Sequence, residues 1–397
     1  MNDSKPIGVV LENMKTADGD YTPRFFDLKV SADRATLAGL IASKEIRHVA
    51  DDYKEQLNEL FAIQNPTLVY TPEFKAKLSE YVTALERDTP LSEQGIWVYY
   101  PWRSTLCHVL PREDFFAVHT ARNRLLINLE EQEHFSRATI GIAGLSVGSN
   151  IAFALALEGG PIKMKLADMD RLALTNTNRV LSGVNDLGLL KVEMVARRLY
   201  EMNPYLDIEC FSDGLTKENI ERFFDGLDIV VDELDNLAVK YLIRVHAQKH
   251  RIAVVMGADN GDNAVIDVER YDLDPNTPYF HGRLGDVTYE SLSGLDKFGI
   301  GKTITKHIGV ENITERMQES LLEMGKTIVS WPQLGGAALL NGVAVAYCVR
   351  KILNKEPVVP ERALLVIDRL LTPNYDTPAN AKRRASASAK FASLFGL

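Results

Sequence analysis

Length, composition and charge exclude several classes of protein. The chain has 397 residues, of which 46% are hydrophobic and 25% are charged, and its formal net charge at pH 7 is -9. This size allows a large α/β core with an added domain, and the composition is that of a globular protein. The negative charge argues against general binding to nucleic acid or to anionic membranes.

The cysteines, the first residues and the longest apolar run predict the cellular setting. Cys107, Cys210 and Cys348 lie far apart without a C-x-x-C motif, which excludes a disulfide framework and predicts a reducing, cytoplasmic compartment. The N-terminal segment is polar and has no signal-peptide pattern. Gly335–Val349 is apolar but short for a membrane span and contains Asn341, so we expect a buried helix and no membrane association.

Residues 1–118 are predicted to form a smaller N-terminal α+β domain. Ala32–Ile63 and Thr71–Arg87 have helical periodicity. Gly95–Leu110 is aromatic and β-branched, with one break at Pro101, and predicts a hairpin or two short strands. No catalytic constellation is evident, and we expect this block to pack on the core or to shape a substrate cleft.

Strands and helices alternate from residue 137 onward. The predicted order is strand 140–143, helix 149–157, strand 162–167, helix 189–202, strand 206–211, helix 217–224, strand 228–231, helix 237–249 and strand 252–256. This alternation predicts a Rossmann-like, mainly parallel sheet with helices on both faces. Val265–Glu269 is a further strand candidate that could be antiparallel.

The remaining segments are less regular. Tyr271–Thr327 is long, polar and poorly periodic, which is typical of a lid or a partner-binding surface. Gly335–Leu353 predicts a long apolar helix, and Ala379–Leu397 could be disordered or helical. The predicted boundaries are thus 1–118, a central domain over 119–360, and a C-terminal extension over 361–397.

A glycine-punctuated turn joins the first strand of the alternation to its helix. Residues 139–157 read TIGIAGLSVGSNIAFALAL, the order strand, tight loop, helix. Such a loop presents backbone N–H groups and the positive end of a helix to a phosphate. The pattern is Gly144-x-x-x-Gly148 and not a full G-x-G-x-x-G, so an ordinary βα turn is the alternative.

Polar residues follow the ends of the predicted strands, which meet in one crevice of a parallel sheet. Asp168 and Asp170 could accept hydrogen bonds from ribose hydroxyls, or could be turn residues. Arg179, with Asn176 and Asn178 beside it, suits bidentate contact with a phosphate.

Two further charges complete this set of polar residues. Lys191 lies near the start of a predicted helix, where a lysine is unfavourable for the helix dipole and indicates either a function or a neutral surface position. Asp235 emerges after the fourth strand and could hold Mg²⁺, or could cap the helix that begins at Leu237.

The order of these motifs resembles the ATP-dependent adenylyltransferases of the ubiquitin-activating, ThiF-like superfamily. Members of that superfamily include the enzymes that activate small sulfur-carrier proteins. The matching segments are RNR at 122–124, GLSVGSN at 144–150, DMD at 168–170, NTNR at 176–179, DLGLLK at 186–191, MNP at 202–204, DELDN at 232–236 with Lys240 behind it, MGADNG at 256–261 and the helix over 335–353.

The resemblance implies ATP-dependent adenylation of a carboxylate, with release of pyrophosphate and with Mg²⁺. It assigns Asp170 to the ribose, Arg179 and Lys191 to the phosphates, Asp235 to the metal, and Arg124 to the neighbouring site of a homodimer. The implied ATP contacts are Gly144, Ser146, Gly148, Asp168, Asp170, Asn176, Asn178, Arg179, Lys191, Leu234, Asp235 and Asn236.

The chain departs from the family pattern in three ways. The glycine loop is shorter and carries Ser146. The paired C-x-x-C motifs of many bacterial relatives are absent, and His281 stands where the first would fall, so we expect no structural zinc. No cysteine lies between Cys210 and Cys348, so a thioester relay is not expected.

Two other functions are weighed against adenylation. In a nicotinamide-dependent oxidoreductase the glycine loop and Asp170 would fit, but Arg179, Lys191 and Asp235 would have no task. A catalytically silent binding module would not need those three residues either. The carboxylate substrate stays open: the C-terminus of a ubiquitin-like carrier or of a peptide, a small acid, or, less favoured by the net charge, a modified tRNA.

Overall fold

The computed structural model describes residues 19–359 and 361–397 and divides them into two compact units. The first unit runs to Leu129 and also takes in Ala196–Tyr205, and the second comprises Glu130–Val195 and Leu206–Leu397. The polar N-terminal segment considered above lies outside the described residues. The domain boundaries after residues 118 and 360 stay predictions.

The first unit is a four-stranded sheet with helices. Its elements are β1 (Arg24–Phe26), α1 (Ser31–Ala42), β2 (His48–Asp51), α2 (Tyr53–Gln64), α3 (Phe74–Glu86), β3 (Ile96–Tyr100), β4 (Thr105–Val109) and α4 (Arg112–His119). The strand order is β1-β3-β4-β2, in which only the β2–β4 pair is parallel. Phe26 and Trp97 of the sheet and Leu37 of α1 share one core cluster. The predicted hairpin is confirmed as β3 and β4.

The helical prediction for Ala32–Ile63 is wrong in its middle. Two helices, α1 and α2, flank strand β2, which pairs with β4 from His48 opposite Thr105 to Asp51 opposite His108. All four residues of β2 are exposed, so the strand has no buried face and no apolar alternation. Its conformation comes from pairing with a strand more than fifty residues away, which local periodicity does not reveal.

The second unit contains a seven-stranded sheet in the order β11-β10-β9-β8-β5-β6-β7. Its strands are β5 (Thr139–Ala143), β6 (Lys163–Ala167), β7 (Asp207–Phe211), β8 (Ile229–Asp232), β9 (Ala253–Asn260), β10 (Asn263–Arg270) and β11 (Arg362–Leu365). The pairs from β7 to β9 are parallel, and β10 is antiparallel to both its neighbours. The mainly parallel sheet is therefore confirmed, with a topological switch point between β5 and β8.

Helices lie between and after these strands. They are α5 (Leu129–Arg137), α6 (Gly148–Leu157), α7 (Lys191–Met202), α8 (Ile220–Phe224), α9 (Leu237–His250), α10 (Tyr289–Ser293), α11 (Lys297–Ile308), α12 (Glu315–Glu323), α13 (Gly335–Leu353), α14 (Ile367–Leu371) and α15 (Pro378–Phe395). The division into units falls within α7, after Val195.

Helix α13 packs against α6 and against strands β9 and β10. A Cβ atom at Gly342 would lie 2.9 Å from the Cβ of Asn150, so this close helix contact requires glycine. By length and composition alone α13 could cross a membrane. Its inner face, including Asn341 and Val345, is buried, whereas Val343 on the outer face is 63% exposed. The prediction of a buried helix is thus confirmed for one face.

The segment 271–327, which the sequence describes as polar and poorly periodic, is largely helical. Helices α11 and α12 bury Ile308 and Met317 in a cluster with Val265 of β10, and this cluster also contains Phe391 and Phe395 of α15. The C-terminal tail is therefore a helix, begun by Pro378 and ended by Gly396 in the left-handed region. The functions suggested for 271–327, a lid or a partner surface, stay predictions.

Candidate active site

The glycine loop lies at the switch point, between β5 and α6. Gly144 has φ +86°, and a Cβ there would lie 2.4 Å from the carbonyl oxygen of Glu233, so the position requires glycine. Helix α6 begins at Gly148 without a side-chain cap. No described side chain therefore caps the start of α6, and an uncapped helix start can bind an anion.

Asp168, directly after β6, organises the glycine loop. Its Oδ2 accepts a hydrogen bond from the backbone N–H of Leu145 at 2.7 Å, and its Oδ1 accepts one from that of Asp170 at 2.8 Å. Burial raises the pKa of the Asp168 carboxyl, and the nearby charge of Lys191 opposes this rise. The predicted contact of Asp168 with ATP stays a prediction, beside this observed structural role.

Lys191 joins the loop to the acidic turn after β6. Its Nζ lies 2.8 Å from Oδ2 of Asp170, 3.9 Å from Oδ2 of Asp168 and 3.3 Å from Oγ of Ser146. The Lys191 side chain is only 5% exposed, whereas that of Asp170 is 62% exposed. Lys191 is the first residue of α7, which agrees with its predicted position near a helix start, and the two carboxylates offset the unfavourable helix dipole.

Arg179 follows a turn that its neighbours hold in place. Asn176 accepts a hydrogen bond from the N–H of Ala173 at 2.9 Å and closes this turn. The Nη1 of Arg179 donates to Oδ1 of Asn178 at 3.0 Å and to the carbonyl of Thr175 at 3.1 Å. The amide of Asn178 donates in turn to the carbonyl of Gln333. Both asparagines thus position the arginine.

The guanidinium of Arg179 retains hydrogen-bonding capacity. Among the described residues, its buried Nε has no hydrogen-bond acceptor. Burial lowers the pKa of Arg179, while the negative charges of Asp259 and Asp235 act in the opposite direction. An oriented, partly desolvated guanidinium with an open donor is suited to an anionic ligand.

Asp235 is exposed at the end of β8, and its alternative role as a helix cap is wrong. The cap of α9 is Asn236, whose Oδ1 accepts hydrogen bonds from the N–H groups of Ala238 at 3.0 Å and Val239 at 3.2 Å. Leu234, before Asp235, packs against the hydrophobic core. Asp235 is therefore exposed and does not cap α9.

Two acidic residues beside this crevice, the buried Asp259 and the half-buried Glu233, were not predicted to be site residues. Asp259, near the end of β9, accepts hydrogen bonds from Nδ2 of Asn341 at 2.5 Å and from Nε2 of Gln333 at 3.1 Å, and burial raises its pKa to about 6. Burial also raises the pKa of Glu233, although its carboxylate accepts a hydrogen bond from the N–H of Gly257. Asn341, a polar residue within an apolar helix, was the signal in the sequence that could have pointed to a buried polar partner such as Asp259.

A network of buried ion pairs lies at the end of β8. Arg244 on α9 forms ion pairs with Asp232 of β8 and with Glu269 of β10, and Nζ of Lys240 lies 3.2 Å from Oδ1 of Asp232. Although burial raises the pKa of Asp232, the two cations outweigh it, and the pKa is lowered overall. Arg244, four residues after Lys240 on one helix face, was not singled out from the sequence.

Arg124 is not part of this group of residues. It belongs to the first unit and is exposed, whereas the glycine loop, Lys191, Arg179 and Asp235 all belong to the second. Its predicted role in a neighbouring subunit therefore stays a prediction.

Comparison with known proteins identifies relatives over the same segment. Residues 120–281 match the model of the ThiF family. An uncharacterized protein of Mycobacterium tuberculosis is 36% identical over 322 residues, which are 80% of this chain and 45% of that protein. The tRNA threonylcarbamoyladenosine dehydratase of Bacillus subtilis is 32% identical over 164 residues, 39% of this chain and 64% of that enzyme.

A third relative is named as an adenylyltransferase. The sulfur carrier protein adenylyltransferase of Thermus thermophilus is 27% identical over 157 residues, 39% of this chain and 56% of that enzyme. The chain thus spans about half to two thirds of the length of these curated relatives. The family match covers the glycine loop and every predicted site residue, so this segment of the chain is similar to the ThiF family.

Proposed function

We propose that this chain uses ATP to adenylate a carboxylate and releases pyrophosphate. The observation that carries the proposal is the meeting of four features at the carboxyl ends of parallel strands: the Gly144 loop, Lys191 against it, the oriented Arg179, and the exposed Asp235. Ligands of open α/β sheets bind at this edge, at the switch point.

These residues fit a nucleoside triphosphate with a divalent cation. Gly144 leaves backbone space that a Cβ would fill, and helix α6 starts without a side-chain cap. The Nε of Arg179 is buried without an acceptor among the described residues. Asp235 supplies an exposed carboxylate, the kind of oxygen ligand that Mg²⁺ takes. Mg²⁺ held by Asp235 would neutralise charge on the departing pyrophosphate.

The reaction asks mainly for positioning and charge stabilisation. A carboxylate oxygen attacks the α-phosphorus of ATP, the bond from that phosphorus to the β-bridging oxygen breaks, and pyrophosphate leaves with the electron pair. Arg179 and Lys191 are the cations that stabilise charge developing on the phosphate oxygens. Asp170, whose carboxylate is mostly exposed, is available to the ribose hydroxyls.

The nature of the carboxylate is the finer part of the proposal. We favour the C-terminus of a carrier protein or peptide, since the relative from Thermus thermophilus is named for a sulfur carrier protein. A modified tRNA is the second candidate, because other relatives are named for tRNA. The net charge of -9 makes it the less favoured one. The absence of cysteine between Cys210 and Cys348 favours the adenylate itself as the activated product.

Nucleotide binding is the first test of the proposal. Calorimetry should show binding of ATP with Mg²⁺ and no binding of NAD, because Arg179, Lys191 and Asp235 together suit a triphosphate with a divalent cation and have no task in hydride transfer. Lys191→Met should weaken ATP binding. Micromolar binding of NAD together with no binding of ATP would favour the oxidoreductase instead.

We also propose that the chain acts as a homodimer in which Arg124 completes the partner's site. Exposed apolar side chains support an interface: Leu125 and Leu126 beside Arg124 are 93% and 86% exposed, and Val184 of the second unit is 76% exposed. A two-fold dimer would supply two equivalent composite sites.

Mixing two inactive variants tests the shared site. Arg124→Ala and Asp235→Ala, each inactive alone, should regain part of the activity when they are refolded together, because hybrid dimers contain one intact composite site. A fully active monomer would exclude the shared site while leaving the adenylation proposal in place.

A further inference from the structure

Three side chains with metal-binding atoms lie together on α8 and α9, apart from the candidate active site. They are Glu221, His246 and His250, and one ligand atom of each lies within 4.8 Å of the others. The Nδ1 of His246 is 3.0 Å from Oε2 of Glu221, and the Nε2 of His250 is 3.2 Å from Oε1. The histidines are four residues apart and therefore share one face of α9.

The two imidazoles are held by packing. Phe224, which is fully buried, contacts both rings, with centroid separations of 5.6 Å to His246 and 5.8 Å to His250. The two rings lie nearly parallel, with an angle of 18° between their planes. Their side chains are 17% and 27% exposed, so the ring positions are restricted while an ion from solvent can still reach them.

Lys249 would compete with a metal ion for the carboxylate of Glu221. The Nζ of Lys249 lies 2.8 Å from Oε1 of Glu221, and the lysine side chain is 60% exposed. An exposed ion pair of this kind contributes little free energy, and Lys249 can turn into solvent. The carboxylate is therefore available to a cation that offers a stronger interaction.

We propose that Glu221, His246 and His250 bind a divalent transition metal ion of the zinc type. Two imidazole nitrogens and one carboxylate oxygen form a ligand set that Zn²⁺ accepts, with water in the fourth position. Ligand atoms about 2.0–2.2 Å from one ion lie roughly 3.3 Å from each other. In this cluster each histidine nitrogen lies 3.0 or 3.2 Å from one of the two oxygens of Glu221. Magnesium, which prefers oxygen ligands, is disfavoured by the imidazoles.

This site revises the expectation of no structural zinc, which rested on the missing cysteine motifs. It is separate from the proposed magnesium ligand and independent of the adenylation proposal. Helix α9 begins next to Asp235 and carries His250 at its last turn, so the two positions are about 20 Å apart along the helix. A metal ion would link α8 to α9 at the amino-terminal edge of the strands, and it would stabilise the folded chain by binding to it.

Calorimetry with ZnCl₂ on the untagged full chain tests the proposal, together with cobalt absorption and thermal unfolding. We expect one equivalent of zinc to bind and to raise the unfolding midpoint. The double variant His246→Ala/His250→Ala should lose more than about tenfold in affinity. A matched double variant of two exposed histidines outside the cluster, His48→Ala/His134→Ala, should bind zinc as the unaltered chain does.

Removal of the competing lysine gives a test that does not depend on removing a ligand. Lys249→Ala frees Glu221 and should tighten zinc binding by about two- to fivefold. Unchanged or weaker binding in Lys249→Ala would contradict the proposal. So would equal affinity in His246→Ala/His250→Ala and in the unaltered chain, or the absence of zinc binding altogether.

Discussion

Two clusters of charge in the second unit contain similar groups but differ in their access to solvent. Lys191 pairs with Asp170, whose side chain is 62% exposed, at the mouth of the crevice. Arg244 pairs with Asp232 and Glu269, and none of these three side chains is more than 2% exposed. The charges of the first cluster can meet a ligand, whereas those of the second are satisfied within the protein. Position relative to the sheet edge, and not composition, separates the binding cluster from the structural one.

Removing the buried Arg244 should have the largest effect, and this effect should be a loss of stability. Arg244→Met leaves Asp232 and Glu269 buried without their shared partner, so we expect a loss of about 3–5 kcal/mol in the free energy of unfolding. Urea denaturation measures this loss. As a control, Arg222→Met breaks an exposed ion pair with Glu209 and should cost no more than about 1 kcal/mol. Equal costs in the two variants would contradict the comparison.

Removing Lys191 at the crevice should lower activity and should cost less stability than removing Arg244. Lys191→Met should lower the rate of adenylation by about 10²–10³-fold, because a cation that stabilises the transition state is lost. Its unfolding free energy should fall by less than that of Arg244→Met, because Asp170, the nearest partner of Lys191, is 62% exposed and stays solvated. Lys165→Met, a change to a largely buried lysine on β6, is the matched control and should retain full activity. A variant of Lys191 that stays active but unfolds easily would assign it a structural role.

Asp259 should add a smaller, pH-dependent effect. Burial raises its folded pKa to about 6, above the value of 3.8 for a free aspartate. The folded chain then holds the proton more tightly than the unfolded chain, so this stabilising contribution is complete below about pH 4 and is lost as the pH rises through 6. Asp259→Asn removes the titration, so the stability of the variant should not fall between pH 4 and 8 as that of the unaltered chain does. Parallel stability curves from pH 4 to 8 for the two proteins would contradict this account.

The order of strands and helices from β5 to β10 was predictable because each buried strand is a short apolar run between turn residues. Gly144 could be located for the same reason, since it follows such a run. Strand β2 could not be predicted, because its four side chains are all exposed and only β4 specifies it. The helices of the 271–327 segment did carry local signals: Thr288, Asp296 and Thr314 each accept a hydrogen bond as N-caps.

Site residues that directly follow a strand or begin a helix could be predicted from the sequence. Contacts between residues from elements far apart in the chain could not. Lys191 and Asp235 were placed by their position after a strand or at a helix start. The alternative that Asp235 caps α9 was wrong, since Asp235 and Asn236 are both good caps and only geometry distinguishes them. Asp259 and its partner Asn341 are 82 residues apart, and no local pattern joins them.

Pyrophosphate exchange tests the central claim most directly. The chain is incubated with ATP, Mg²⁺ and labelled pyrophosphate, with small acids, carrier-protein C-termini, peptides or modified tRNA as the carboxylate. We expect label to enter ATP only when the correct carboxylate is present, and this exchange should be lost in Asp235→Ala, whose fold is retained. Exchange that is unchanged in Asp235→Ala, or no exchange with any carboxylate from a chain that binds NAD, would contradict the account.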